Sequence, residues 1–248
     1  MRRFSLILSL FSSIAWGEIR LTSTEHYTQE QAQEYCRSLG VSWRQMSIQE
    51  LFALSPSTSF NEEFSYWSDN KGPSDTTEIG TGSEGDGGII AMVGYSFYPK
   101  ERNITLSPPT KKIAAACINT PKKKQSRCYL ITSKGTEDKN SALLWHSLDA
   151  TDKRAKYTFE QAQEQCENLT LYGRAWRVPS LNELYDIVDY EYFRPSVDTH
   201  YFGAMMHRYY WSSDSLTERE AYVVGFKLGS IATVPKSESA YVRCVSEL

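Results

Sequence analysis

Apolar positions recur at helical spacing twice along the chain, in closely similar surroundings. Ala32, Cys36 and Leu39 fall at i, i+4 and i+7 among Gln and Glu, and Ala162, Cys166 and Leu169 repeat the pattern. Each set predicts a helix that buries one stripe and points a cysteine inward. Thr28 precedes Gln31 by three residues, and Thr158 precedes Gln161 likewise. That spacing lets an N-cap hydroxyl and an amide satisfy each other's backbone N–H groups, so helices are expected to start there. Ser47 with Glu50 and Ser180 with Glu183 form a second pair of capping boxes, and Leu51-Phe52 and Leu184-Tyr185 open the buried face of a second helix.

The pattern is an internal repeat. TQEQAQEYC at 28–36 and TFEQAQEQC at 158–166 agree at seven of nine positions, and WRQMSIQEL at 43–51 and WRVPSLNEL at 176–184 at five. Short alternating or apolar runs predict strands at 89–97, 113–118, 128–132, 142–148, 221–228 and 241–245, with a polar turn between 132 and 142 and a turn at Gly229. Trp67-Ser68-Asp69 matches Trp211-Ser212-Ser213, while Trp145, Trp176 and Trp211 read as core, because a large aromatic is a small domain's richest source of buried area. The expected class is α+β. The expected domains are residues 18–120 and 128–248, joined by a basic linker at 121–127 that holds Lys122, Lys123, Lys124 and Arg127. A polyanion contact is the alternative reading of those charges.

Residues 1–17 change the setting. Arg2 and Arg3, the apolar run from Phe4 to Ile14, and Ala15-Trp16-Gly17 read as a cleaved secretory signal. No later stretch has the roughly 18 apolar residues that a membrane helix needs. An exported chain, periplasmic or secreted to the cell surface, is expected to oxidise its cysteines. The repeat pairs four of the five: Cys36 with Cys117 and Cys166 with Cys244, each bridge stabilising its domain by roughly 4 kcal/mol. Cys128 is left as an unpaired thiol or an intermolecular bridge that makes a dimer.

Lys and Arg number 27 against 30 Asp and Glu, and loss of Arg2 and Arg3 makes the balance more negative, which argues against nucleic-acid binding. The Gly-rich acidic stretch 71–88 reads as a surface loop. Its Asp75, Glu78, Glu84 and Asp86 offer calcium ligands, but not at EF-hand spacing. Asn103-Ile-Thr and Asn168-Leu-Thr fit the glycosylation tripeptide, with Asn103 the better placed because Asn168 falls in a predicted helix.

For contact with a partner the stretch 190–210 stands out. Tyr192, Tyr201 and Tyr209 offer flat faces beside Arg194, His200, His207 and Arg208, a combination suited to a glycan or a protein. The same aromatics would also serve to cap a thin core. His200 and His207 lack a third metal ligand by spacing, so neither metal nor cofactor is expected.

The second half, with Trp176-Arg177-Val178-Pro179-Ser180, Tyr210-Trp211-Ser212-Ser213 and Tyr241-Val242-Arg243-Cys244-Val245 in order, resembles the C-terminal domain of the collagen-like adhesin Lcl and its relatives over about 126–246. Residues 19–118 look like a degenerate copy, with Met46 in place of the proline and Ala115-Ala116 in place of Val-Arg. The resemblance implies two tandem C-type-lectin-like domains, each with two helices, a small antiparallel sheet and one disulfide, in bacterial envelope proteins. The adhesin itself binds sulfated polysaccharides. Glu-Pro-Asn and Gln-Pro-Asp are absent, which argues against calcium-mediated sugar binding. Formylglycine-generating enzymes share a related fold but use an active-site cysteine pair. No hydrolase or phosphate-binding motif is present here, so a non-catalytic role is expected, either in binding a glycan or envelope protein or as a scaffold subunit of an envelope assembly.

Overall fold

A computed structural model describes residues 18–56, 58, 60–73, 92–122, 127–147, 154–203 and 205–248. The signal segment 1–17, most of the acidic loop with its calcium candidates, and Lys123 and Lys124 lie outside the described residues. The first half contains β1 (Ile19–Leu21), α1 (Gln29–Ser38), β2 (Arg44–Gln45), α2 (Ile48–Leu54), β3 (Tyr66–Pro73), β4 (Met92–Tyr98), β5 (Asn103–Ser107) and β6 (Ala114–Ile118). The second contains β7 (Tyr129–Thr132), β8 (Gly135–Asp138), β9 (Leu143–His146), α3 (Phe159–Glu167), α4 (Leu181–Asp186), β10 (Tyr209–Ser215), β11 (Glu220–Gly225), β12 (Ser230–Pro235) and β13 (Val245–Glu247).

All four capping boxes form, on Thr28, Ser47, Thr158 and Ser180. Both disulfides are as the repeat implied, Cys36–Cys117 and Cys166–Cys244, tying α1 to strand β6 and α3 to the segment just before β13. Around them the two halves repeat one set of bonds. Arg44 pairs with Ile118 and Arg177 with Val245, each one residue beyond the cysteine. Trp67 Nε1 donates to the Tyr27 carbonyl at 2.8 Å, and Trp211 Nε1 to that of Tyr157 at 2.7 Å. Ile48 N–H donates to Asn70 Oδ1 and Leu181 N–H to Asp214 Oδ2, both at 2.8 Å.

The sheets differ from expectation. Instead of one small antiparallel sheet per half, a nine-stranded sheet runs β1-β6-β3-β4-β5-β12-β11-β10, with β2 also on β6 and with β3 parallel to β6. A second sheet runs β13-β9-β8-β7. The long sheet crosses from one half to the other where Ile104 pairs with Ile231. Unpaired, β5 and β12 would each present an open edge, and pairing them with each other covers both.

Register makes Ile104 and Ile231 counterparts, since Tyr66, Phe97 and Ile104 are linked as Tyr210, Val224 and Ile231 are. Phe52 and Tyr185 are counterparts on α2 and α4, and their rings meet at 4.5 Å. Matching residues of the two halves therefore meet each other at the seam. The largest core cluster follows from this. It holds Met46, Leu51, Phe52 and Phe97 together with Leu184, Tyr185, Val188 and Phe226, so the boundary near residue 120 does not divide it. Arg102 stitches the seam, lying 4.4 Å from the Phe52 ring and donating to Ser55 Oγ and, in the second half, to Asn182 Oδ1. Tyr95 adds a second link in the same direction by donating to the Leu228 carbonyl at 2.6 Å.

Two further differences have local causes. The polar turn expected between 132 and 142 contains strand β8. Gly135, at φ +140°, lets the hairpin turn where a Cβ would come within 2.2 Å of the Trp145 carbonyl oxygen. Buried Thr136 and Asp138 satisfy their polar atoms on the Tyr201 carbonyl and on the Asn140 and Ser141 N–H groups. Strand β11 stops at Gly225, short of Leu228, because Phe226 turns to bond Arg208 and Ser196. Strand β13 starts only at Val245, with Tyr241 bridging to Tyr210.

Gln45 is buried, and neither oxygen nor nitrogen of its amide has a partner, whereas Val178 stands at the matching position in the second half. Gln45→Val is expected to raise stability by about 1–2 kcal/mol, the penalty of an unsatisfied buried amide. Tyr185→Ala is expected to lower it by about 3–5 kcal/mol. Urea denaturation at neutral pH measures both. Burial alone would raise the Glu50 and Glu183 carboxyls, but hydrogen bonds from Arg44 or Arg177 and from the capping serine outweigh it and hold both below the ordinary range. Such carboxyls stabilise the fold above their unfolded pKa, and that contribution is lost as pH falls through the lower folded value. Urea stability is therefore expected to decline below about pH 4.3, and the Glu50→Gln/Glu183→Gln double variant to show a shallower decline.

Candidate functional site

Residues 190–210 leave α4 and return to β10 by wrapping the end of β11. Ser196 N–H donates to the Phe226 carbonyl at 2.7 Å, Phe226 N–H to the Arg208 carbonyl at 3.0 Å, and Arg194 N–H to the Lys227 carbonyl at 3.0 Å. Both arms of the loop are thus hung on the same turn. Gly229, at φ +77°, closes that turn where a Cβ would come within 2.7 Å of the Tyr190 ring, and Tyr190 donates its hydroxyl to the Gly229 carbonyl.

The loop divides into anchors and outward groups. Ser196, Val197, Phe202, Met205 and Tyr210 are buried. Phe202 sits edge-on to Tyr129 at 4.9 Å and to Trp145 at 5.8 Å, so part of the aromatic content does cap the core. Tyr192, Phe193 and Tyr209 are 42%, 59% and 46% exposed and turn outward.

The seven expected contact residues do not form one patch. Arg194, Arg208 and Tyr209 gather at the 225–227 turn, with the Tyr209 ring over Gly225, where only a glycine leaves it room. Arg208 donates to the His207 carbonyl beside it and makes no ion pair among the described residues. Half-buried His207 belongs with this group by position. Exposed His200 and half-buried Tyr201 lie together against β7 and β8, their rings 4.8 Å apart, with Tyr201 also 5.3 Å from Tyr129. Tyr192 sits nearer Asp198, whose charge raises its hydroxyl above the ordinary pKa.

Sequence reading passed over Arg243. This guanidinium is 2% exposed, donates from Nε to the His146 carbonyl at 3.1 Å, lies 5.2 Å from the Phe202 ring, and leaves Nη1 unbonded. Burial pushes its pKa down to about 10, opposed by Tyr210. It supports the loop from below, through Phe202. Two signals were present: an arginine inside an otherwise apolar closing run, and its place in the Val242-Arg243-Cys244 motif where the first half has Ala115-Ala116.

Trp145, Trp176 and Trp211 are buried, as expected of core residues. The ends of the basic linker are tied down: Lys122 pairs with Asp69 at 2.7 Å, and Arg127 pairs with Asp189. Asn103 begins β5 with its Oδ1 buried and unbonded, while Asn168 is the exposed C-cap of α3. Among the described residues no group of three or more His, Cys, Asp or Glu is placed to hold a metal, and no helix is long and apolar enough to cross a membrane.

Tyr192→Ala, Phe193→Ala and Tyr209→Ala are each expected to change stability by no more than about 0.5 kcal/mol. Phe202→Ala is expected to cost about 3–5 kcal/mol. Thermal or urea unfolding of the four variants checks the division.

Comparison with curated proteins returned no match to the chain. Residues 134–246, which hold the loop, Arg243 and the Cys166–Cys244 bridge, match the family of the Lcl C-terminal domain.

Proposed function

We propose that the protein is an exported, non-catalytic binding protein of a bacterial envelope, built from two tandem C-type-lectin-like units, the first degenerate. Its binding surface is the outward half of the 190–210 loop, and its ligand is an anionic glycan. The repetition of bonds around each disulfide supports the duplicated architecture. The observation that carries the binding role is the cluster of Arg194, Arg208 and exposed Tyr209 on one turn, held by backbone bonds to β11 and its turn. The Arg208 guanidinium, which makes no ion pair among the described residues, stands beside an exposed ring and suits a sulfated or carboxylated sugar, because charge and stacking act on the same residue of the ligand. A turn held by backbone bonds presents both with its main chain already ordered, which lowers the cost of binding.

A second reading, a scaffold subunit that docks another envelope protein, is favoured by β7. This strand is the open edge of its sheet and exposes Leu130 and Ile131 at 50% and 53%, with unpaired, exposed Cys128 just before it. An apolar open edge is a site for strand addition, and Cys128 would tie such a pair covalently.

The mature protein is expected to be retained on immobilised heparin at low salt and to elute earlier as Arg208→Ala or Tyr209→Ala, with elution moving steeply with ionic strength. Flow-through of the unaltered protein at low salt, with a stoichiometric envelope protein recovered by cross-linking in the native host, would replace the glycan reading with the scaffold one.

A further inference from the structure

A shallow groove of about 660 Å³ runs along the exposed face of α1 in the first half, far from the 190–210 loop in sequence. Its volume lies within the roughly 300–1,000 Å³ of small-molecule sites. One wall is aromatic: Tyr27 and Tyr35 stack with ring centres 5.1 Å apart and planes 24° apart. Gln165 stands where Tyr35 stands and Ala155 where Glu25 stands, so the matching positions of the second half do not offer these groups.

The polar groups around that wall are mixed in kind. Gln31 spends its oxygen on the Thr28 N–H at 3.0 Å, which leaves its amide N–H groups to donate. Ser38 donates its hydroxyl proton to the Tyr35 carbonyl at 2.7 Å and so faces the groove as an acceptor. Exposed Glu34 accepts, exposed Lys112 donates, and neither has an ion-pair partner among the described residues. Glu25 is engaged by the Tyr27 hydroxyl.

We infer that this groove binds an uncharged oligosaccharide, with a pyranose face against the Tyr27–Tyr35 wall and its hydroxyls bridging Glu34, Gln31 and Lys112. A sugar hydroxyl both donates and accepts, which is what a rim of alternating donors and acceptors requires. A polyanion would meet Glu25 and Glu34, and a cationic peptide would meet Lys112. Stacked rings supply apolar contact to the C–H face of a sugar while the rim sets its orientation. The groove thus differs in electrostatics from the turn that holds Arg194 and Arg208, and the inference stands whether or not that turn binds anionic sugars.

Calorimetric titration of the full mature chain with cellotriose, chitotriose, trilysine and a heparin tetrasaccharide tests this. One of the two neutral trisaccharides is expected to bind saturably. Glu34→Gln is expected to weaken it by about 10-fold or more, as loss of a charge-assisted hydrogen bond does, with an unchanged thermal midpoint because Glu34 is exposed. Tyr35→Ala is expected to abolish binding. Absence of saturable binding by both neutral sugars overturns the inference, as does equal affinity in Glu34→Gln, or loss of bound sugar to competing trilysine.

Discussion

The seam between the halves is the contact on which the rest depends. Each half is thin: a helix pinned by its disulfide covers one side of a few strands, and the second helix, α2 or α4, has an apolar face that its own half does not fully cover. Pressing those faces together around Phe52 and Tyr185, while Ile104 pairs with Ile231, buries both at once and closes two strand edges. Small domains bury too little surface to be secure alone. Sharing one core turns two marginal units into one of ordinary size, and Arg102 and Tyr95 hold the register by reaching from the first half into the second.

The shared core leaves the halves free to differ elsewhere. Around the second disulfide, Phe159, Val178, Trp176 and Trp211 form a well-filled cluster. Around the first, the matching cluster is Ala32, Trp67, Ile113 and Ala115, and Gln29 and Gln45 occupy the places of Phe159 and Val178. Two buried amides with unbonded atoms make that core weaker than its counterpart. The weaker half holds the α1 groove, and the better-packed half carries the long loop, which needs Phe202, Arg243 and Tyr210 beneath it as a floor.

Much of this was legible in the sequence, for identifiable reasons. Capping boxes are local chemistry, so Thr28–Gln31 and Ser180–Glu183 announce their helices without reference to the rest of the fold. The disulfides were readable because the repeat aligned Cys117 with Cys244. What stayed hidden depended on long-range partners. Strand β8 is polar, and Thr136 and Asp138 are tolerated inside only because the Tyr201 carbonyl and the Asn140 and Ser141 N–H groups reach them. Nothing in Ile104 or Ile231 says that they meet each other. In the 190–210 loop, Phe202 and Phe193 look alike in sequence, and only packing makes one a floor and the other an exposed face.

Native-state hydrogen exchange on the oxidised mature protein tests the shared core most directly. The amides of β5 and β12 are expected to open with one common free energy, matching that of the disulfide-bearing strand β6 and changing together as urea is added. Exchange of one half at a distinctly lower free energy, with the other half still protected, would show two separately stable bodies and contradict this account.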